Sequence, residues 1–193
     1  MRPAVQSAAK APGTGPLASQ PPCYRRVLRT MEEAAEAARE ASALCDQAAR
    51  VERGLIELLV NAIEHGNLGL DHALKAQLLA CGRWQAEIAK RLDMPSFRQR
   101  QVVLSAFAMV GGWCFEIADD GAGFDWRPWL AADPARAAAP NGRGIALARS
   151  LCFDELYFLP PGNRVRALVF DTVEPSAWSP VRGLRAIAYN RAP

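Results

Sequence analysis

The residues with the clearest capacity for chemistry in this 193-residue chain are a carboxylate and a carboxamide four positions apart, Glu57 and Asn61. They lie in Glu57-Leu58-Leu59-Val60-Asn61-Ala62-Ile63-Glu64-His65-Gly66-Asn67, a segment otherwise rich in apolar residues. On a helix, residues at i and i+4 stand one above the other on a single face. Asn is a mediocre helix residue, so its presence among Leu59, Val60, Ala62 and Ile63 calls for a role. Its side-chain oxygen suits Mg²⁺, which takes few protein ligands and completes its shell with water and phosphate. A carboxylate one turn away can take a proton from an attacking hydroxyl or water, a role worth about 10²–10⁴ in rate. The competing reading of a single Glu on an amphipathic helix is solvated surface, and the same reading applies to Glu64, on nearly the same stripe.

A second carboxylate is picked out by strand alternation. Trp113, Phe115 and Ile117 share one face of a predicted strand, which must be the core face. Asp119 has the same parity, so its carboxylate points inward, where an unpaired charge costs several kcal/mol. A ligand N–H donor, such as the amino group of adenine, offsets that cost. Gly121 and Gly123 remove side chains where a flat base must approach the backbone. The competing reading is a carboxylate that caps its own Asp-Gly turn. Further on, Gly142-Arg143-Gly144 stands immediately before an apolar helical start, Ile145-Ala146-Leu147. Backbone N–H groups at such a junction form a phosphate cradle, though a lone Gly-x-Gly is a weak signal.

The elements that position these groups follow from capping and periodicity. Tyr24 to Arg29 reads as a first strand, and Thr30 with Glu33 forms a capping box for a helix from Met31 to Leu44. Asp46 is the expected cap of a second helix to about His65, ended by Gly66 and Asn67. Two shorter helices fill roughly 71 to 92, interrupted near Gly82. Strands follow at 101–109 and 113–119, joined by Val110-Gly111-Gly112. After a loop over 121–141, expected to act as a lid, come a helix over 145–152 and strands at 155–159 and 164–170. The Pro- and Ala-rich residues 1–22 read as a flexible arm, 23–171 as the domain and 172–193 as a tail.

Composition sets the bounds. Half the residues are apolar, 22% are charged and the net charge is +3, an ordinary balance for a soluble domain that argues against nucleic acid as partner. No apolar run is long enough to span a bilayer. The five cysteines (23, 45, 81, 114 and 152) show no metal or redox spacing and read as free thiols in a reducing cytoplasm.

Together the three segments resemble the GHKL ATPase superfamily, whose ATP-binding domain is the Bergerat fold. Glu57 to Asn61 looks like its N box, Asp119 to Gly123 its Asp-x-Gly-x-Gly box, and Gly142 to Gly144 its second glycine box. The resemblance implies an α+β two-layer sandwich, with helices on one face of a mixed, mainly antiparallel sheet. It implies ATP or ADP with Mg²⁺ as ligands, Glu57 as general base, Asn61 as metal ligand and Asp119 as adenine reader. Gly121, Gly123, Gly142, Arg143, Gly144 and Asn163 would line the nucleotide. Within the superfamily, Ile63 to Gly69, Gly82-Arg83-Trp84 and Gly123-Phe124-Asp125-Trp126 are most similar to anti-sigma-factor serine kinases and to ATP-binding domains of bacterial response regulators. Such kinases phosphorylate a serine or threonine of a small protein partner, so a sigma factor or antagonist-type protein is the expected partner, with a homodimer among the options for assembly.

Two positions depart from the kinase pattern. Pro140-Asn141 stands where a basic residue can precede the second glycine box, and Asn163 where the last strand often begins with Thr. Two alternatives therefore accompany the kinase reading. One is a non-catalytic, ATP-dependent interaction module. The other is the catalytic part of a split histidine kinase, since His65 and His72 are the only histidines and neither lies on a separate dimerisation helix.

Overall fold

The computed structural model describes residues 20–130 and 144–172. Most of the arm and tail, Pro140-Asn141, Gly142, Arg143 and the second half of the expected lid lie outside these residues.

Strand β1 (Tyr24–Leu28) leads into helix α1 (Met31–Ser42). The capping box forms as the sequence predicts: Thr30 Oγ1 accepts from the Glu33 N–H at 3.2 Å, and Glu33 Oε2 accepts from the Thr30 N–H at 3.0 Å. The buried stripe of α1 consists of Ala34, Ala37, Ala38, Ala41 and Ser42, small residues that allow close approach of the neighbouring helix. Helix α2 (Ala48–Asn61) begins one residue later than a cap at Asp46 would give; Gln47 occupies the cap position and makes no side-chain capping bond.

α2 does not stop at Gly66. It widens into a π-helical turn (Ala62–Asn67), with the Leu68 N–H reaching back to the Ile63 carbonyl at 2.9 Å. The left-handed glycine that redirects the chain is Gly69, at φ 61°. Helices α3 (His72–Ala80) and α4 (Trp84–Asp93) follow, hinged at Gly82 with φ 67°. Then come β2 (Val102–Met109), β3 (Gly112–Asp119) and a short 3₁₀ turn (Arg127–Trp129). Helix α5 (Gly144–Leu147) runs into a second π turn (Ala148–Cys152), and β4 (Glu155–Leu159) and β5 (Arg164–Phe170) close the fold.

The five strands form one sheet in the order β1-β2-β3-β5-β4, and every neighbouring pair is antiparallel. The expected mixed sheet is thus antiparallel throughout, because each connection is a hairpin or returns the chain beside its antiparallel neighbour. The helical layer meets one face through Val51, Leu55 and Leu59 of α2 against Leu104, Phe115 and Ile117, all at most 2% exposed. On the opposite face Cys114, Phe107 and Leu168 form a small separate cluster. No helix among the described residues is long and apolar enough to cross a membrane.

Gly54 sets the distance between α2 and the second π turn. A Cβ there would lie 2.5 Å from both the Cys152 Cβ and the Phe153 ring. Alanine improves helix propensity by about 1 kcal/mol, whereas overpacking a filled core costs about 1–3 kcal/mol. Gly54→Ala is therefore expected to lower the thermal midpoint, and scanning calorimetry would show it. A raised midpoint would mean that the contact relaxes freely.

Candidate functional site

The sheet face, the end of α2 and the start of α5 enclose a cavity of about 490 Å³, within the range of about 300–1,000 Å³ usual for small-molecule sites. Asn61, Asp119, Gly123, Gly144 and Asn163 all line it. Glu57 and Gly121 do not line it.

At one end, α2 meets α5. A Cβ on Gly144 would lie 2.5 Å from Glu57 Oε2 and 3.3 Å from Asn61 Nδ2. The carboxylate and the carboxamide thus converge on the same stretch of backbone, as their i, i+4 spacing requires. Only glycine at 144 allows that approach.

At the other end, Asp119 closes β3. Strand parity holds: Phe115 and Ile117 are buried, Trp113 packs against the same core, and the Asp119 carboxylate faces the cavity. It also caps its own turn, since Oδ1 accepts from the Gly121 N–H at 2.8 Å. Among the described residues, Oδ2 accepts no hydrogen bond. Two glycines make room for the carboxylate. A Cβ on Gly66 would lie 2.4 Å from Asp119 Oδ1, and one on Gly121 2.7 Å from Oδ1 and 2.4 Å from the Gly66 carbonyl oxygen. Gly66 is therefore a site residue, and reading it as a helix terminator misses that role; no local pattern announces a contact 53 positions away.

Burial pushes the Asp119 carboxyl up from 3.8 to about 6; the neighbouring Asp120 charge adds to the rise, while the Gly121 N–H and Arg100 oppose it. A carboxyl whose folded pKa is raised contributes stability below about pH 3.8, and that contribution is lost as pH rises through about 6. Asp119→Asn should therefore raise the melting temperature of the ligand-free protein at neutral pH. The gain should shrink as pH falls through about 6 and vanish in acid, which thermal melts across pH would reveal.

Asn163 belongs to the Asp119 end, away from Glu57. Its Nδ2 donates to the Asp119 carbonyl at 2.9 Å, and its own carbonyl accepts from the Asp119 N–H at 2.9 Å. Gly142 and Arg143 lie outside the described residues. Along one wall the rings of His65 and His72 approach to 4.3 Å, and His72 stacks on Trp129 at 4.4 Å; sequence periodicity gives no signal for this stack.

Glu64, expected at the surface, is fully buried. Its Oε2 accepts from Lys75 Nζ at 2.5 Å and its Oε1 from Trp84 Nε1 at 2.9 Å. The π turn and the α3–α4 pair packed over it account for the difference, since periodicity assumes an unbroken helix with solvent beyond.

The histidine kinase-like ATPase domain model matches residues 21–169. No curated protein matches the chain. The match spans both ends of the cavity and all of the antiparallel sheet but its last residue, Phe170, and on that ground the chain belongs to the histidine kinase-like ATPase domain family.

Proposed function

We propose that this ATP-binding domain is a serine/threonine protein kinase of the anti-sigma-factor type, acting on a small protein partner in bacterial signalling. The observation that carries this reading is the convergence of Glu57 and Asn61 on the Gly144 backbone. It supports a base and a metal ligand at the phosphate end of a cavity whose other end presents a free carboxylate oxygen. Adenine fits the Asp119 end, because its amino group donates to Oδ2. Among the described residues no cluster of three or more acidic, His or Cys side chains could hold a metal alone. That suits Mg²⁺ held by Asn61 together with phosphate and water. Glu57 takes the proton of the attacking serine or threonine hydroxyl as its oxygen bonds to the terminal phosphorus and the bond to ADP breaks.

The test is timed transfer from terminally labelled Mg-ATP to candidate sigma-factor antagonists, with hydrolysis followed in parallel. Label on a partner serine or threonine supports the kinase. Binding without transfer or hydrolysis favours the non-catalytic module, to which Pro140-Asn141 already inclines. Asp119→Asn gives a separate check. It keeps the shape but offers the adenine amine a weaker acceptor, so calorimetry should show ATP affinity down by about 1.5–3 kcal/mol, the scale of a charged hydrogen bond. Unchanged affinity would remove Asp119 from the base site.

A further inference from the structure

The peptide between Asp119 and Asp120 is held from both sides by asparagine side chains. Its N–H donates to Asn67 Oδ1 at 2.9 Å, and its carbonyl accepts from Asn163 Nδ2 at 2.9 Å. Asn67 is only 3% exposed. Burying a carboxamide is unfavourable unless its groups are hydrogen-bonded, and an apolar residue would serve simple packing better. The backbone around Asn67 is fixed in turn, since Arg100 Nη1 donates to its carbonyl at 2.9 Å and the Gln101 N–H donates to Asp120 Oδ2 at 2.9 Å. Beyond β3 no ladder holds this peptide, because the β2–β3 pairing ends at Val102 and Asp119. The rotation of the peptide sets ψ of Asp119, and with φ it places Cβ, from which the side-chain torsions aim the carboxylate.

We infer that Asn67, clamping this peptide opposite Asn163, is a positioning residue that sets nucleobase selectivity through Asp119 without touching the ligand. Asn67 does not line the cavity, whereas Asn163 does, so an effect of Asn67 on base choice has to travel through the peptide it holds. A carboxylate aimed at the position of the base's exocyclic group accepts from the amino group of adenine and repels the carbonyl oxygen of guanine. Discrimination of this kind depends on direction, and a swivelling carboxylate loses it. The inference rests on the proposed adenine site and deepens it.

The experiment compares ATP and GTP affinities by calorimetry for wild type, Asn67→Ala, Asp119→Asn and the double variant. Wild type should prefer ATP. Asn67→Ala should shrink that preference by about tenfold, and should change it by less than about twofold once Asp119 is already Asn, because coupled residues are non-additive. Asn67→Asp is isosteric and still accepts from the Asp120 N–H. In alkaline buffer its added charge weakens both nucleotides alike, so its ATP-to-GTP ratio should stay within about threefold of wild type. It also serves if the alanine variant fails to fold. An alanine effect on selectivity that persists undiminished in the Asp119→Asn background overturns the positioning role, as does an unchanged ratio in Asn67→Ala. A wild type that binds neither nucleotide, or shows no preference, instead defeats the underlying adenine site.

Discussion

Glu57→Ala is expected to keep Mg-ATP affinity within a few-fold of wild type and yet to slow phosphoryl transfer or hydrolysis by roughly 10²-fold or more. The split follows from position. The Glu57 carboxylate approaches the edge of the cavity at Gly144 but does not line it, so it carries little of the nucleotide. Asn61, on the wall itself, should fail differently. On the proposed assignment Asn61→Ala removes a metal oxygen, so nucleotide binding should lose much of its dependence on Mg²⁺. Single-turnover transfer and Mg²⁺ titrations of binding distinguish the two. If both variants bind as wild type does and wild type turns nothing over with any partner, the kinase assignment fails and the interaction module replaces it.

The largest stability loss should come from Glu64. Glu64→Ala leaves the Lys75 ammonium, whose side chain is 18% exposed, without its carboxylate, and leaves the Trp84 N–H without its acceptor. Breaking a buried ion pair from one side costs about 3–5 kcal/mol. Replacing both charges together, as in Glu64→Leu with Lys75→Met, should recover most of that loss, since such pairs are often no more stable than an apolar pair of similar volume. Urea titration of wild type and these two variants is the measurement. A single variant as stable as wild type would mean that water reaches Lys75 freely.

Periodicity and parity made the fold largely legible in the chain. The capping box at Thr30 and Glu33, the strands around Gly111-Gly112 and around Pro160 to Asn163, and the inward turn of Asp119 all depend on neighbours within a few residues, where the rules of chain geometry are strong. Glu57 and Asn61 were visible because i and i+4 share a face in any helix. What stayed hidden depends on distant contacts. Glu64 looks solvated until α3 and α4 are laid over it. Gly66 looks like a helix terminator until Asp119 arrives from the end of β3. Asn67, too, reads only as part of a helix end, because its significance is one hydrogen bond to Asp120. Asp46 shows the reverse error: a sound local capping signal, set aside because the helix starts at Ala48 with Gln47 in the cap position.

The helix that carries Glu57 also carries Gly66, and the π turn between them is continuous with it. One rod therefore touches both ends of the cavity, Gly144 at Glu57 and Asp119 at Gly66. Nine residues at about 1.5 Å each make it a gauge of about 13 Å. The separation of the two ends of the cavity is thus a length counted in residues of a single element, not a gap between parts that can drift. Removing one residue from the α-helical stretch between Glu57 and Asn61 would shorten the gauge only slightly, but it would turn one end against the other by about 100°. Tolerance to a change in the length of that stretch is therefore close to none.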